Sequence, residues 1–216
     1  MTKADWIVNK ISDIPYVGAK VITANSLVVT RAMQGTITVG CAEADPVDED
    51  EVKRISATVE DLDFIVVIPS SVAIKPSVWR YCNDSGIVLG RFSDLRDGLE
   101  TMQPLAKLRN RELQYISNRI ERTPVVQQVA RISETALEIT CEGGASLVGE
   151  FVHPYEITED EVFRLIDQQP DMSFLVVTNP YARGISPDSV RVAEDAGVRL
   201  VLMNEFVSNL GAICQS

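Results

Sequence analysis

The side chains that could do chemistry in this chain are a strip of arginines and two glutamates. Between Lys107 and Arg131 lie six basic residues, Lys107, Arg109, Arg111, Arg119, Arg122 and Arg131, opposed only by Glu112 and Glu121. That window is positive in a protein whose net charge is −11. A guanidinium offers a planar fork of donors that fits a phosphate or carboxylate in bidentate fashion. Arg109, Arg111, Arg119 and Arg122 are therefore the candidate contacts to a nucleic-acid backbone or an acidic partner. The same pattern also fits a solvated helix face carrying i,i+3 and i,i+4 ion pairs. Glu138 and Glu150 stand twelve positions apart on the two arms of an expected hairpin, where two carboxylates can approach one another. His153 is the chain's one histidine, and no Ser or Cys nucleophile pattern accompanies it. A His-based triad and a His/Cys zinc site are both poorly supplied. Neither a G-x-G-x-x-G run nor a Walker A loop is present, and Gly143-Gly144 reads as a turn.

The elements that must position these residues occur twice. Residues 174–178 are a β-branched run that reads as a buried strand. A loop with Gly184 follows, then Ser186-Pro187 as an N-cap and first-turn proline. The helix stops at Gly197, and 198–202 is a second buried strand. The phrase from Asp63 repeats this order. Phe64 matches Phe174, Pro76 matches Pro187, Gly86 matches Gly197, Leu89 matches Leu200 and Asp94 matches Glu205. Upstream, Asn9, Ile11 and Pro15 match Asn118, Ile120 and Pro124, and Val39-Gly40 matches Val148-Gly149. In the first copy a helix is expected over 4–13, strands over 17–22, 26–30 and 36–41, and a helix over 49–59. In the second, a hairpin is expected over 136–140 and 145–152, with a Thr158-x-x-Glu161 capping box beyond it. The expected architecture is α/β, two copies of an α-β-β-β-α-β-α-β unit related by a pseudo-two-fold axis. The first copy spans 1–97, a connecting helix started by Pro104 spans 98–114, and the second copy spans 115–216.

Composition sets outer limits. A hydrophobic content of 45% supports packed cores rather than disorder. No apolar run approaches the roughly 20 residues of a membrane span, and the N-terminal residues lack a signal-peptide core, so a cytoplasmic protein is expected; the six lysines against fourteen arginines fit a prokaryotic source. Cys41, Cys82, Cys141 and Cys214 form no C-x-x-C pair and are expected as reduced, mostly buried thiols. The acidic balance argues against wholesale coating of nucleic acid.

The run Val177-Thr178, Ser186-Pro187, Ala193, Gly197-Val198 and Leu200, with Gly86-Ile87 and Leu89 in the first copy, resembles the Mrr-type branch of the restriction-endonuclease-like, PD-(D/E)xK fold. That resemblance implies metal-dependent nuclease ancestry: an acidic residue on the second hairpin strand, and Glu-x-Lys on the next, holding Mg²⁺ and a water. The acidic position falls near Val28 in the first copy, and the Glu-x-Lys position near Gly40-Cys41-Ala42. In the second copy Glu138 and Glu150 remain as a residual Mg²⁺ pair, while Val152 stands where lysine belongs. The resemblance thus implies a pseudoenzyme, an inactive tandem nuclease-like protein acting by binding as a nucleic-acid-associated regulatory or scaffolding factor. Two alternatives stand beside it: an acidic protein-docking subunit without nucleic-acid contact, and a residual metal-dependent nuclease. No cofactor beyond the residual Mg²⁺ is implied. The expected partner is nucleic acid or a protein, with no membrane, and a homodimer is compatible with the pattern.

Overall fold

A computed structural model describes residues 1–215. The chain divides into two compact units, residues 1–114 and 115–215. In the first, helix α1 (Lys3–Ile11) opens with a Thr2 capping box, in which the Asp5 N–H donates to Thr2 Oγ1 (3.1 Å) and the Thr2 N–H to Asp5 Oδ2 (2.9 Å). Strands β1 (Val17–Thr23), β2 (Ser26–Arg31) and β3 (Gly35–Ala42) form an antiparallel meander. Helix α2 (Glu49–Thr58) leads to β4 (Leu62–Val67), and α3 (Pro76–Asp84) leads to β5 (Val88–Arg91). Both later strands lie parallel to their predecessors, giving the order β1-β2-β3-β4-β5. Helix α4 (Phe92–Glu100) closes the unit.

Alternation along the strands sorts side chains into two cores. Val29, Ile37, Val39, Cys41, Phe64 and Val66 face α1 and α4. Ala42, Ile65 and Val67 face α2 and α3, where Trp79 and Cys82 are also buried.

The second unit repeats this order of elements with α5 (Arg111–Glu121), β6 (Val126–Arg131), β7 (Ala136–Cys141), β8 (Ser146–Val152), α6 (Glu159–Gln168), β9 (Phe174–Val177), α7 (Pro187–Asp195), β10 (Arg199–Leu202) and α8 (Met203–Ile213). The unit boundary falls within α5. Its sheet runs β10-β9-β8-β7-β6, with β6–β8 antiparallel and β8–β10 parallel. Helices α6 and α7 cover Leu175 and Val177. On the other face, Phe206 of α8 meets Phe151 and Phe174 edge-on at 5.8 and 5.3 Å.

Four expectations change. Each unit ends in a helix, α4 or α8, that the expected α-β-β-β-α-β-α-β unit lacks, because each follows its strand directly. The connecting helix over 98–114 is not one helix. The chain ends α4 through Met102 in a left-handed conformation (φ 51°), makes a 3-10 turn at Leu105–Lys107, and restarts as α5. The reason is local. Leu108, fully buried, packs against Gly98, and the Asp94 and Asp97 carboxylates accept the N–H groups of Asn110 (2.9 Å) and Arg111 (3.1 Å). Polar caps at that point favour a new helix start over a continuous one.

The cysteines are not all reduced. Cys141, at the end of β7, is bonded to Cys214, just beyond α8, while Cys41 and Cys82 are buried thiols. The sequence match Val39-Gly40 to Val148-Gly149 is displaced by one residue. Val39 pairs with Phe64 as Gly149 pairs with Phe174, so Gly40 and Glu150 hold equivalent register positions. Among the described residues, no helix is long and apolar enough to cross a membrane.

Candidate functional site

The four candidate arginines do not share one environment. Arg109 precedes α5 and is buried. Arg111 opens α5, is exposed, and pairs with Glu100 at 2.7 Å. Both lie in the first unit. In the second unit Arg119 is half-buried; it donates to Asn204 Oδ1 (2.9 Å) and to the Tyr115 hydroxyl (3.1 Å), and lies 5.6 Å from that ring's centre. Arg122 follows the helix and is exposed. A buried guanidinium cannot reach a phosphate backbone without a rearrangement, so the strip read from sequence is not a continuous basic face.

The glutamate pair is better placed than the arginines, yet incomplete. Ala136 pairs with Glu150 and Glu138 with Val148. Glu138 and Glu150 therefore sit diagonally on one face of the hairpin, where diagonal neighbours lie about 7–8 Å apart. Glu138 is half-buried and accepts from Ser146 Oγ at 2.9 Å. Glu150 is buried, and burial pushes its carboxyl above the usual range, against the opposing pull of the Thr135 hydroxyl that donates to it and of Arg164. A carboxyl biased toward its neutral form is a poor ligand for a divalent cation. No group of three His, Cys, Asp or Glu is arranged to hold a metal among the described residues.

In the first unit, positions 40–42, where the resemblance expects Glu-x-Lys, are buried in packing. Gly40 is buried on β3, and a Cβ there would meet Ile55 Cγ2 at 2.6 Å. Cys41 is buried, and burial pushes its thiol up to about 12. Ala42 lies in the core beneath α2. His153 follows β8 and is exposed. Its Nδ1 lies 2.9 Å from Thr178 Oγ1, whose own proton goes to the Val152 carbonyl (3.0 Å). The histidine thus acts as the donor in that contact and ties the ends of β8 and β9 together.

Sequence reasoning missed one surface. A concavity of about 600 Å³ opens on β1 and β2, lined by Gly18, Ala19, Lys20, Val21, Ile22, Val28 and Thr30. The available signal was charge: residues 14–42 contain no Asp or Glu, in a chain that carries 31 of them. Comparison with protein-family models, with curated proteins and with solved structures returns no match.

Proposed function

We propose that this protein acts by binding rather than catalysis, as a tandem of restriction-endonuclease-like units, and that what it binds is protein. The common element order and common pairing directions of the two units support an origin by duplication. The observation that carries the reading is the fate of the catalytic positions. Gly40, Cys41 and Ala42 sit in the core of the first unit. In the second, Glu150 is buried with a raised carboxyl, and Val152 packs beside the α6–α7 core. Metal-assisted hydrolysis needs charged carboxylates open to an ion and a water. Neither unit offers them.

Protein is favoured over nucleic acid because three of the four arginines meant for phosphate are buried or engaged by neighbours: Arg109 is buried, Arg111 pairs with Glu100 and Arg119 is held by Asn204 and Tyr115. The test is anisotropy with a labelled duplex and a labelled single strand at low and moderate salt, with and without Mg²⁺. The controls are the Arg119→Ala/Arg122→Ala double variant and the fourfold variant that adds Arg109→Ala and Arg111→Ala. No cleavage and no salt-sensitive binding are expected. Binding that weakens log-linearly with salt and is lost in the double variant would overturn the protein reading in favour of a nucleic-acid factor. Mg²⁺-dependent cleavage would overturn the non-catalytic reading altogether.

A further inference from the structure

The β1–β2 ribbon of the first unit is covered on one face only. Ala19, Val21, Leu27 and Val29 point into the core beneath α1. On the opposite face the pairing register builds two rows, Gly18–Thr30–Thr36 and Lys20–Val28–Thr38. Gly18, Lys20, Thr30 and Thr36 are exposed, Val28 and Thr38 half-buried, and Ile22 is 54% exposed. A Cβ at Gly18 would meet nothing within 4 Å, so the floor there is open. The outer edge of β1 pairs with no described strand. Lys20 makes no ion pair with any described residue. At one end of this shelf stand Tyr16 (77% exposed) and Met33 (99% exposed), both in left-handed conformations (φ 63° and 68°). They are joined through the Ala32 N–H donating to the Tyr16 carbonyl at 3.0 Å. Large apolar side chains are not the usual tenants of that backbone region, and here two of them face solvent side by side.

We propose that this shelf docks an extended segment of a partner protein that adds as a strand to the edge of β1 and carries an aliphatic and an acidic side chain two positions apart, on one face of the strand. The proposal rests on the protein-binding reading above and names its surface and partner chemistry. Strand addition uses the unpaired backbone edge for affinity and alternate side-chain positions for choice. An aliphatic side chain of the segment would lodge over Gly18 beside Thr30. An acidic one would meet Lys20. Charge argues for this occupant. The shelf lies in the acid-free run 14–42, whereas the equally long stretch 124–152 of the second unit carries Glu134, Glu138, Glu142 and Glu150. A second copy of this chain fits less well. Antiparallel β1–β1 pairing centred on the strand would set Lys20 opposite its own copy, and like charges directly opposite are unfavourable.

The experiment is an amide-resolved NMR titration of the full chain with two short synthetic peptides, one repeating Val-Thr-Glu-Thr and the other Val-Thr-Lys-Thr, so that valine and the charged residue share one face of the strand. Shifts confined to residues 17–31 are expected with the glutamate peptide alone. Lys20→Glu should weaken that response about tenfold, a charge reversal acting on one exposed pair. Gly18→Val, which fills the floor without disturbing a neighbour, should weaken it as well. Equal responses to both peptides, no response, or a response unchanged in Lys20→Glu would each overturn the proposal. Shifts at another surface would overturn the location while leaving the protein-binding reading intact, and salt-sensitive duplex binding by the same sample would instead remove that reading. Concentration-dependent broadening at β1 without peptide, with a dimer in sedimentation, would assign the shelf to a second copy and overturn the proposal too.

Discussion

Gly40→Ala is the sharpest test of how closely α2 packs onto β3 in the first unit. Gly40 is buried on β3, paired with Ser26 on one side and Ile65 on the other. The added methyl would sit 2.6 Å from Ile55 Cγ2 and 3.1 Å from Leu62 Cδ1, where ordinary contact begins at 3.4 Å. Ile55 is 3% exposed and belongs to the core under α2, so it has little room to yield. Close-packed interiors respond to such overpacking by shifting rotamers or backbone, at about 1–3 kcal/mol. The usual strand benefit of replacing glycine, about 0.5–1 kcal/mol, offsets part of this. A net loss of about 1–2 kcal/mol corresponds to a fall of about 4–16 °C in the Tm of a unit this size. Differential scanning calorimetry, read on the transition assigned to the first unit, measures it. Gly18→Ala is the matched control, also on a β-strand but with open space around its Cβ, and should leave the Tm level or slightly raised. Equal Tm values for the two variants would refute the claim that α2 packs directly onto Gly40.

Other consequences follow from single contacts. Glu150→Gln should flatten part of the pH dependence of stability. A carboxyl raised in the folded state stabilises it only while protonated, so wild-type stability falls as pH climbs from the ordinary glutamate range (about 4.3) through the raised value. The variant should gain on wild type across that window in Tm-versus-pH curves, and parallel curves would refute the assignment. Cys141→Ser should cost roughly 2–4 kcal/mol in denaturant unfolding, because the Cys141–Cys214 bond closes a separation of 73 residues and tethers the chain beyond α8 to β7. Wild type measured under reducing conditions should coincide with the variant. Gly98→Ala should destabilise despite its helix-favouring change, worth about 1 kcal/mol, because the new Cβ would meet the Leu108 backbone at 3.0 Å. A rise in Tm would mean the 101–110 segment does not fold back on α4.

Much of the fold was legible because local and tertiary preferences agree. The β-branched runs at Phe64–Val67 and Phe174–Val177 are buried on both faces, so composition alone marks them. Ser186-Pro187 carries its own start signal, and the Ser189 N–H does donate to Ser186 Oγ at 3.0 Å. Helices α4 and α8 were missed for the opposite reason. Each follows its strand without a linker, and neither Arg91 nor Leu202 supplies a side-chain bond to the first turn. Periodicity does not register where the chain turns back within the expected 98–114 helix; the turn is imposed by Leu108 against Gly98, a contact ten residues apart. The disulfide had no spacing signature either, since its partners meet only once α8 packs across the sheet. The candidate arginines lie close together in sequence, but burial of Arg109 depends on its neighbours in space.

Val28 bears on both the proposed non-catalytic function and the proposed docking shelf. Position 28 is where the nuclease-like pattern would set its first carboxylate, and its register equivalent in the second unit is Glu138. In this chain it holds Val28, half-buried on the floor of the β1–β2 shelf and directly opposite Lys20. A carboxylate at that place would lie with its Cβ about 4.5–5.5 Å from that of Lys20 and would satisfy the lysine within the unit. The apolar residue leaves the ammonium for an incoming acid and widens the aliphatic floor beside Ile22. Val28→Glu should therefore fold, because the position is open to solvent, with a Tm within a few degrees of wild type. It should nevertheless lose the response to the valine–glutamate peptide, since an internal partner now competes for Lys20 and repels the peptide's own carboxylates. A Val28→Thr variant, similar in shape and uncharged, should retain that response. If Val28→Glu binds the acidic peptide as wild type does, Lys20 is not the charge that selects the partner, and the link between Val28 and the docking surface fails.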